Sequence, residues 1–533
     1  MTVLDQDRSA TTIISRPGQP GQPGRPARPR GATSLTKAAS LHTGGGRTEE
    51  VEGAMRWRAF ALLAVAFFMT VVDLTIVNVA LPTIGAKLHF AEADLQWVVT
   101  AYALTFGGLL LLGGRAADLV GRRRLFMAGV GVFSAASLGC ALATSGTFLV
   151  VMRGAEGLGA ALVLPAALSA VMNMFPEGPE RNKALGIWGG IGAGGATVGV
   201  LAGGLLTRYA GWEYIFFLNV PVGATVLALA RRVVPESRSA GLERRYDPLG
   251  ALTVTAGLVA LVYAISQAPE AGWGSARTLA TLAAAAVLLG AFIVVEARSP
   301  SPLLPVHLFK SPTLAGANVV GLLLGGSFFA FIFIGTLYMQ QVLGYSALKT
   351  GLAWLAASLT SVALAGLSQA LVTKTSAKAV MAAGMAMIGG GIVWASQVPV
   401  QGHFWADLAG PLFVAGAGTA FAFIPVSVAA LAGVRERDAG VASGLLNTSQ
   451  QLGGAIGVAV ASTVAASRTH ALTHLGTSTA GALTGGFRSA LWVAGLVGLA
   501  GAVSTTVLVR RHEMARAVAA SQGREAPVLV AAD

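Results

Sequence analysis

Fourteen times along this chain of 533 residues an apolar run recurs that is long enough to cross a bilayer. The runs lie near 59–82, 95–114, 125–144, 147–174, 184–207, 214–230, 248–268, 278–297, 313–340, 350–372, 378–397, 405–431, 444–466 and 487–509. A hydrocarbon core about 30 Å thick takes about 20 residues of α-helix. Inside it every backbone donor and acceptor must be satisfied without water, so runs of this length fold as helices. Composition agrees, since 54% of residues are hydrophobic and only 11% charged, too few polar side chains to cover a soluble surface of this size. The sequence therefore predicts an all-α polytopic membrane protein.

The flanks differ from the runs. Residues 1–54 include "SRPGQPGQPGRPARPRGATS", Pro, Gly and Arg punctuation with no apolar face to bury, which predicts a disordered tail. No short apolar core stands near its start, so no cleavable signal peptide is expected. A second polar tail is expected at 512–533. An even number of spans puts both termini on one side, and the basic residues choose the side. With the termini cytoplasmic, thirty of the 37 Lys and Arg fall in cytoplasmic segments and six (Lys87, Arg208, Arg277, Lys349, Arg468, Arg488) in external loops, Arg153 lying within a span. The expected location is the plasma or inner membrane. This asymmetry also accounts for the net charge of +13 without a nucleic-acid partner.

Enzyme chemistry finds no foothold. Cys140 is the single cysteine, which excludes an internal disulfide and a cysteine metal cluster. The stretch "GYSALKT" at Gly344 lacks the glycine that precedes the lysine of a nucleotide-binding loop, and His512-Glu513 continues as Met-Ala-Arg rather than towards a second histidine. No cofactor and no metal are expected.

Three charges stand deep inside the runs, well away from their ends: Asp73 in "FFMTVVDLTIVNVALP", and Arg153 and Glu156 in "FLVVMRGAEGLGAALVLP". A buried charge in a bilayer costs at least a few kcal/mol, so it faces protein or water and marks a functional position by default. Arg153 and Glu156, three residues apart, share a helical face and are placed to pair. At 1.5 Å per residue, Asp73 lies roughly 21 Å and Glu156 roughly 14 Å from the starts of their runs, both near mid-membrane.

Between the second and third runs stands "GGRAADLVGRRRLF". Its glycines permit a tight turn, and Asp118 is placed to accept from Arg122 to Arg124 or to cap a neighbouring helix. Read alone, it is either a charged latch or simply a basic cytoplasmic loop. The spacing of Gly114, Asp118, Gly121, Arg122 and Arg123 resembles the GxLxDxxGRR signature of the major facilitator superfamily, with Ala116 in place of the leucine. Three further stretches resemble its fourteen-span drug:proton antiporter branch: "DLTIVNVALP", "LQWVVTAYAL" (95–104) and "ERDAGVASGLLNTSQQLGGAIGVAV" (436–460).

The resemblance implies the major facilitator fold, two six-helix bundles (55–232 and 301–511) around an inserted pair of helices (233–300), working by rocking alternating access. The corresponding loop of the second half, "ALVTKTSAKAV", keeps only Lys374 and Lys378, so any latch there is weak. Span 4 resembles RxxQGxG at Arg153, Gly157 and Gly159, with Glu156 where the family has glutamine. Span 5 resembles GPxxGPxxGG at Gly195, Gly199, Gly203 and Gly204, with Ala196 and Val200 replacing both prolines, so a straighter helix is expected. It carries two glycine ridges, Gly186-Gly190-Gly194 and Gly195-Gly199-Gly203, of the kind that lets helices approach closely. The stretch "WEYIFFLNVPVG" (212–223) resembles WRWIFxxNxPxG, with Glu213 for arginine.

In the resembled fold, spans 1 and 4 line the central cavity, which makes Asp73 the proton-accepting carboxylate, Arg153 its switchable partner and Glu156 a second proton site. A static ion network that fixes helix packing is the other reading. The function implied is proton-coupled efflux of hydrophobic or amphipathic drugs or antibiotics from the bilayer-embedded protein. An importer or uniporter for a small hydrophobic metabolite is the alternative that the missing prolines favour. Expected cavity residues are Gln96, Trp97, Tyr102, Asn318, Phe329, Phe333, Tyr338, Trp354, Phe421, Phe423, Asn447 and Gln451, of which fewer than half are expected to touch ligand. A place in the interfacial aromatic belt suits Trp97 equally.

Overall fold

The computed structural model describes residues 42–91, 94–175, 179–237, 247–299, 302, 311–432, 434 and 439–510. Among them are fifteen α-helices and no strand: α1 (His42–Leu88), α2 (Trp97–Val120), α3 (Arg122–Ala141), α4 (Gly146–Met174), α5 (Pro179–Tyr209), α6 (Glu213–Phe217), α7 (Asn219–Val233), α8 (Pro248–Ala271), α9 (Ala276–Arg298), α10 (Pro312–Leu337), α11 (Ala347–Lys374), α12 (Ala377–Ala395), α13 (Ala409–Leu431), α14 (Ala439–His474) and α15 (Thr479–Leu508). Wide π turns extend α10 over Tyr338–Val342 and precede α13 over Phe404–Leu408.

Polar residues at the junctions set where helices start. Ser145, Asp247, Ser275, Ser311, Ser346, Ser376 and Ser478 each stand just before a helix and accept a hydrogen bond from an amide of its first turn, satisfying donors that have no intrahelical partner. The turn between α2 and α3 is made by Gly121 at φ +113°, a conformation that side-chain-bearing residues rarely adopt.

Twelve helices among the described residues are long and apolar enough to span, and Trp97–Leu110 is a shorter apolar stretch. The two expected spans not among these twelve are those of α2 and α14. In α14 the polar stretch "NTSQQ" at 447–451 lowers the hydropathy of the helix. The sixth run is divided at Leu218 into α6 and α7. Two compact units are found, Met1–Ala54 and Met55–Asp533. In the first, residues 1–41 lie outside the described residues, and the chain is helical from His42. Residues 42–54, part of the expected disordered tail, are helical here, where Glu49, Glu50 and Glu52, good helix formers, precede the apolar run. The expected tail at 512–533 lies outside the described residues.

Within the second unit the helices pack in two sets. In the first, α2 and α3 pack on α4 and α7 packs on α3; in the second, α10 packs on α14 and α15, α12 on α13 and α15, and α11 on α13. The helices α8 and α9 pack on each other, and α8 also touches α2 and α14, one helix from each set. The sets meet directly where α2 packs on α14 and α5 on α11.

Glycine governs the closest approaches. A Cβ at Gly195 would stand 3.0 Å from Val71, and one at Gly203 2.5 Å from the Ile76 carbonyl oxygen, so this ridge of α5 lies against α1. Gly199 faces Thr75 and Val72, and a Cβ at Gly204 would stand 2.8 Å from the backbone of Leu348 in α11. The other expected ridge does not pack this way, because Gly190 and Gly194 face open space; the side-chain face of Gly186 lies outside the described residues. Without the prolines, α5 runs unbroken from Pro179 to Tyr209.

Candidate functional site

Asp73, Arg153 and Glu156 meet in one cluster, each fully buried. Arg153 Nη1 donates to Asp73 Oδ2 at 2.7 Å and to Glu156 Oε2 at 2.6 Å. Its Nε donates to the Val98 carbonyl of α2 at 2.9 Å, and its guanidinium lies 4.6 Å from the Tyr102 ring centre and 5.6 Å from that of Phe216. A second bridge joins the carboxylates on another side. Asn219 Nδ2 donates to Asp73 Oδ1 and to Ser137 Oγ, both at 3.0 Å, and the Ser137 hydroxyl donates to Glu156 Oε1. The Cys140 thiol lies 3.6 Å from Glu156 Oε2.

Helix periodicity builds this ring from distant sequence. Arg153 and Glu156 share a face of α4, and Ser137 and Cys140, also three apart, share a face of α3. Glycines bring α4 close to both neighbours: a Cβ at Gly159 would stand 2.6 Å from the Phe133 amide of α3, and Gly157 presses on the Tyr102 carbonyl of α2. Asn219 is the first residue of α7, placed by the break at Leu218.

Electrostatics gives the cluster its chemical character. Two carboxylates face one guanidinium, so the ring carries one negative charge when both are ionised and none when one holds a proton. Buried charge is tolerated only when paired and hydrogen-bonded, and each oxygen here has a donor. The three charged groups are fully buried, with hydrogen-bond partners on α1, α2, α3, α4 and α7. Sequence reasoning named the charges and missed Ser137, Asn219 and the Val98 carbonyl. The stretch "FLNVPVG" marked Asn219 as part of a motif, while nothing distinguished Ser137 from other small polar residues of α3.

The latch residues divide. Gly121 makes its turn, and a Cβ at Gly114 would rest in ordinary contact with Pro165. The Asp118 side chain lies outside the described residues. The arginines engage the chain leaving α7: the Arg123 amide donates to Glu236 Oε1 at 3.2 Å, Arg123 and Arg124 each lie 3.6 Å from Glu236 Oε2, and Arg122 donates to Ser237 Oγ at 3.3 Å. Glu236, in "VVPES", was not marked by any motif recognised in the sequence. Lys374 and Lys378, their counterparts, have no acidic partner among the described residues. Glu213, the departure from arginine, pairs with Lys87 at 3.4 Å, an exposed contact that contributes little.

The expected cavity residues separate into three groups. Gln96, Phe333, Tyr338 and Trp354 are buried in helix packing: Gln96 donates to Ser266 of α8, Tyr338 to the Pro399 carbonyl and Trp354 to Thr336. The void beside Tyr338 and Trp354 measures about 20 Å³, far below the several hundred Å³ of a drug-sized site. Tyr102 belongs to the charge cluster, and Trp97 packs on Tyr263 of α8. Asn318 and Phe329 lie at separate points of the α10–α14 seam, and Gln451 lies where α14 packs on α2. Asn318 Oδ1 accepts from Ser449 at 2.9 Å, a Cβ at Gly454 would touch the Phe329 ring, and Gln451 lies against Gly107. Asn447 and Phe421 are half-buried, and Phe423 packs edge-on against Phe328.

A sequence profile described as Major Facilitator Superfamily matches residues 63–458. The chain belongs to that superfamily. It is 40% identical over 428 residues to the cephamycin export protein CmcT of Amycolatopsis lactamdurans, covering 80% of this chain and 87% of that one. It is 38% identical to the puromycin resistance protein pur8 of Streptomyces alboniger, covering 81% and 86%, and 32% identical to a tetracenomycin C resistance and export protein of Streptomyces glaucescens, covering 77% and 76%. Among solved structures, the POT family transporter PepTSo is similar with a TM-score of 0.61 at 15% identity, over 84% of this chain and 98% of that one; this likeness concerns the fold. As a major facilitator, the chain is a multi-pass membrane transport protein.

Proposed function

We propose that this protein is an antibiotic or multidrug exporter of the plasma membrane, with both termini cytoplasmic, that exchanges protons for a hydrophobic or amphipathic substrate. The observation that carries the coupling is the buried ring of Asp73, Arg153 and Glu156, two carboxylates on one cation. A proton arriving at either carboxylate frees one hydrogen bond of Arg153 and neutralises the ring. Because the ring ties α1, α3, α4 and α7 together, its charge state biases how these helices sit against the other set. The names of the relatives support the substrate class.

Contacts between the two sets support a direction for the form described. Gln340 Nε2 donates to the Val79 carbonyl at 2.8 Å, and Gly204 and Val200 of α5 lie against Leu348 and Gly351 of α11. These contacts lie at the end of the bundle that the basic residues assign to the outside. A form closed there is poised to take substrate from the cytoplasm. Overexpression in a drug-sensitive host against a compound panel tests the export reading: raised resistance that collapses with the proton gradient is expected, and uptake of a metabolite without resistance would overturn it.

A further inference from the structure

Between α1 and α7 runs a groove of about 660 Å³. Its walls are apolar: Ala61 and Val65 on α1, Val222, Leu229 and Val233 on α7. The Thr225 hydroxyl at its side donates to the Pro221 carbonyl at 2.8 Å, so it asks for no polar ligand. Val65 and Leu229 are 45% and 41% exposed, and the groove is therefore open sideways, where a bilayer surrounds the protein.

The groove has one charged end. Arg58 lines it, and Arg231 and Arg232 immediately precede Val233. The two helices run antiparallel along it, so Arg58 and Val233 mark the same end. All three arginines are exposed, and none has an acidic partner among the described residues. Their neighbours at this end differ: Arg56 faces Glu180 at 3.9 Å, and Arg123 and Arg124 share Glu236. Length agrees with the depth of one leaflet. From Pro221 to Val233 the helical rise is about 18 Å, against about 15 Å for half of a 30 Å hydrocarbon core.

We propose that this groove is a resident site for one anionic phospholipid, an acyl chain lying between α1 and α7 and the phosphate held by Arg58 and Arg232. An apolar trough one leaflet deep with unneutralised guanidinium groups at its interfacial end matches both parts of such a molecule. A neutral lipid satisfies the trough and leaves the cations; a free phosphate satisfies the cations and leaves the trough.

The experiment uses the full chain in detergent, with phosphatidylglycerol, phosphatidylcholine of the same chains, and inorganic phosphate as probes, read by native mass spectrometry and thermal melting. Wild-type protein should retain phosphatidylglycerol in preference to phosphatidylcholine, melt at a higher temperature with it, and be unmoved by millimolar phosphate. Arg58→Gln with Arg232→Gln should weaken retention on the order of thirtyfold, two surface cations each lost from an anionic headgroup. Ala61→Phe keeps every charge and fills the trough, and should lose retention as well, while Arg298→Gln, at the same side but outside the groove, should not. Retention of both lipids alike, wild-type retention by Ala61→Phe, or equal stabilisation by inorganic phosphate would overturn the proposal.

Discussion

Replacing Arg153 with methionine removes the one cation that Asp73 and Glu156 share. Its Nη1 serves both carboxylates, at 2.7 and 2.6 Å, and all three side chains are fully buried. Asn219 and Ser137 would still hydrogen-bond the carboxylates but supply no charge. Removing one partner of a buried ion pair costs about 3–5 kcal/mol because an uncompensated charge stays behind, and here two stay behind. Arg153→Met should therefore lower abundance and melting temperature sharply. The triple variant Asp73→Asn, Arg153→Met, Glu156→Gln leaves no charge and nearly the same volume, and should regain most of that stability while transporting nothing, since replacing a whole buried ion network by neutral groups is often close to neutral. The assay is thermal unfolding of purified protein in one detergent, beside wild type. A triple variant as unstable as Arg153→Met would refute the charge argument and assign the loss to packing of the guanidinium against Tyr102 and Phe216.

Three further outcomes follow from the same contacts. Asn219→Ala, which breaks the bridge from Asp73 to Ser137, should cost about 1–3 kcal/mol of stability by leaving Asp73 Oδ1 and its surroundings unsatisfied, and should shift the pH profile of transport; an unchanged profile in a folded variant would remove Asn219 from the coupling. Asp118→Asn and Glu236→Gln should each leave abundance near wild type, since the Glu236 pairs are half-exposed and contribute about 1 kcal/mol or less, yet reduce the transport rate measured in vesicles; normal transport by either would exclude it from the latch. Gly203→Leu should abolish folding or transport, because even a Cβ there would stand 2.5 Å from the Ile76 carbonyl oxygen, whereas Gly190→Leu, facing open space, should be tolerated in an expression assay.

The sequence made the helical fold and most helix positions legible because apolar length is a local signal. The charges of the cluster were legible for the same reason: a carboxylate in an apolar run stands out. What was not legible depends on neighbours far apart in the chain. Ser137 and Asn219 are separated by 82 positions and become a bridge only when α3 packs on α7. Glu236 becomes an acid partner of the latch arginines only because the chain leaving α7 returns to the start of α3. Aromatic residues were the least legible. Trp354, Phe333 and Tyr338 have the chemistry of a drug-binding wall, and residue type alone does not say whether a ring faces a ligand or another helix.

The most direct test of the coupling claim is counter-transport in everted membrane vesicles with an acidified lumen, where proton exit and drug accumulation are recorded together. Wild-type protein should accumulate drug in proportion to the pH gradient while protons leave. Asp73→Asn keeps size and hydrogen-bonding capacity but cannot exchange a proton there, so it should bind drug and fail to accumulate it, with Asp73→Glu recovering part of the activity at a shifted pH optimum. Gradient-driven accumulation by Asp73→Asn at the wild-type rate would contradict the account, leaving the ring of Asp73, Arg153 and Glu156 as a packing element.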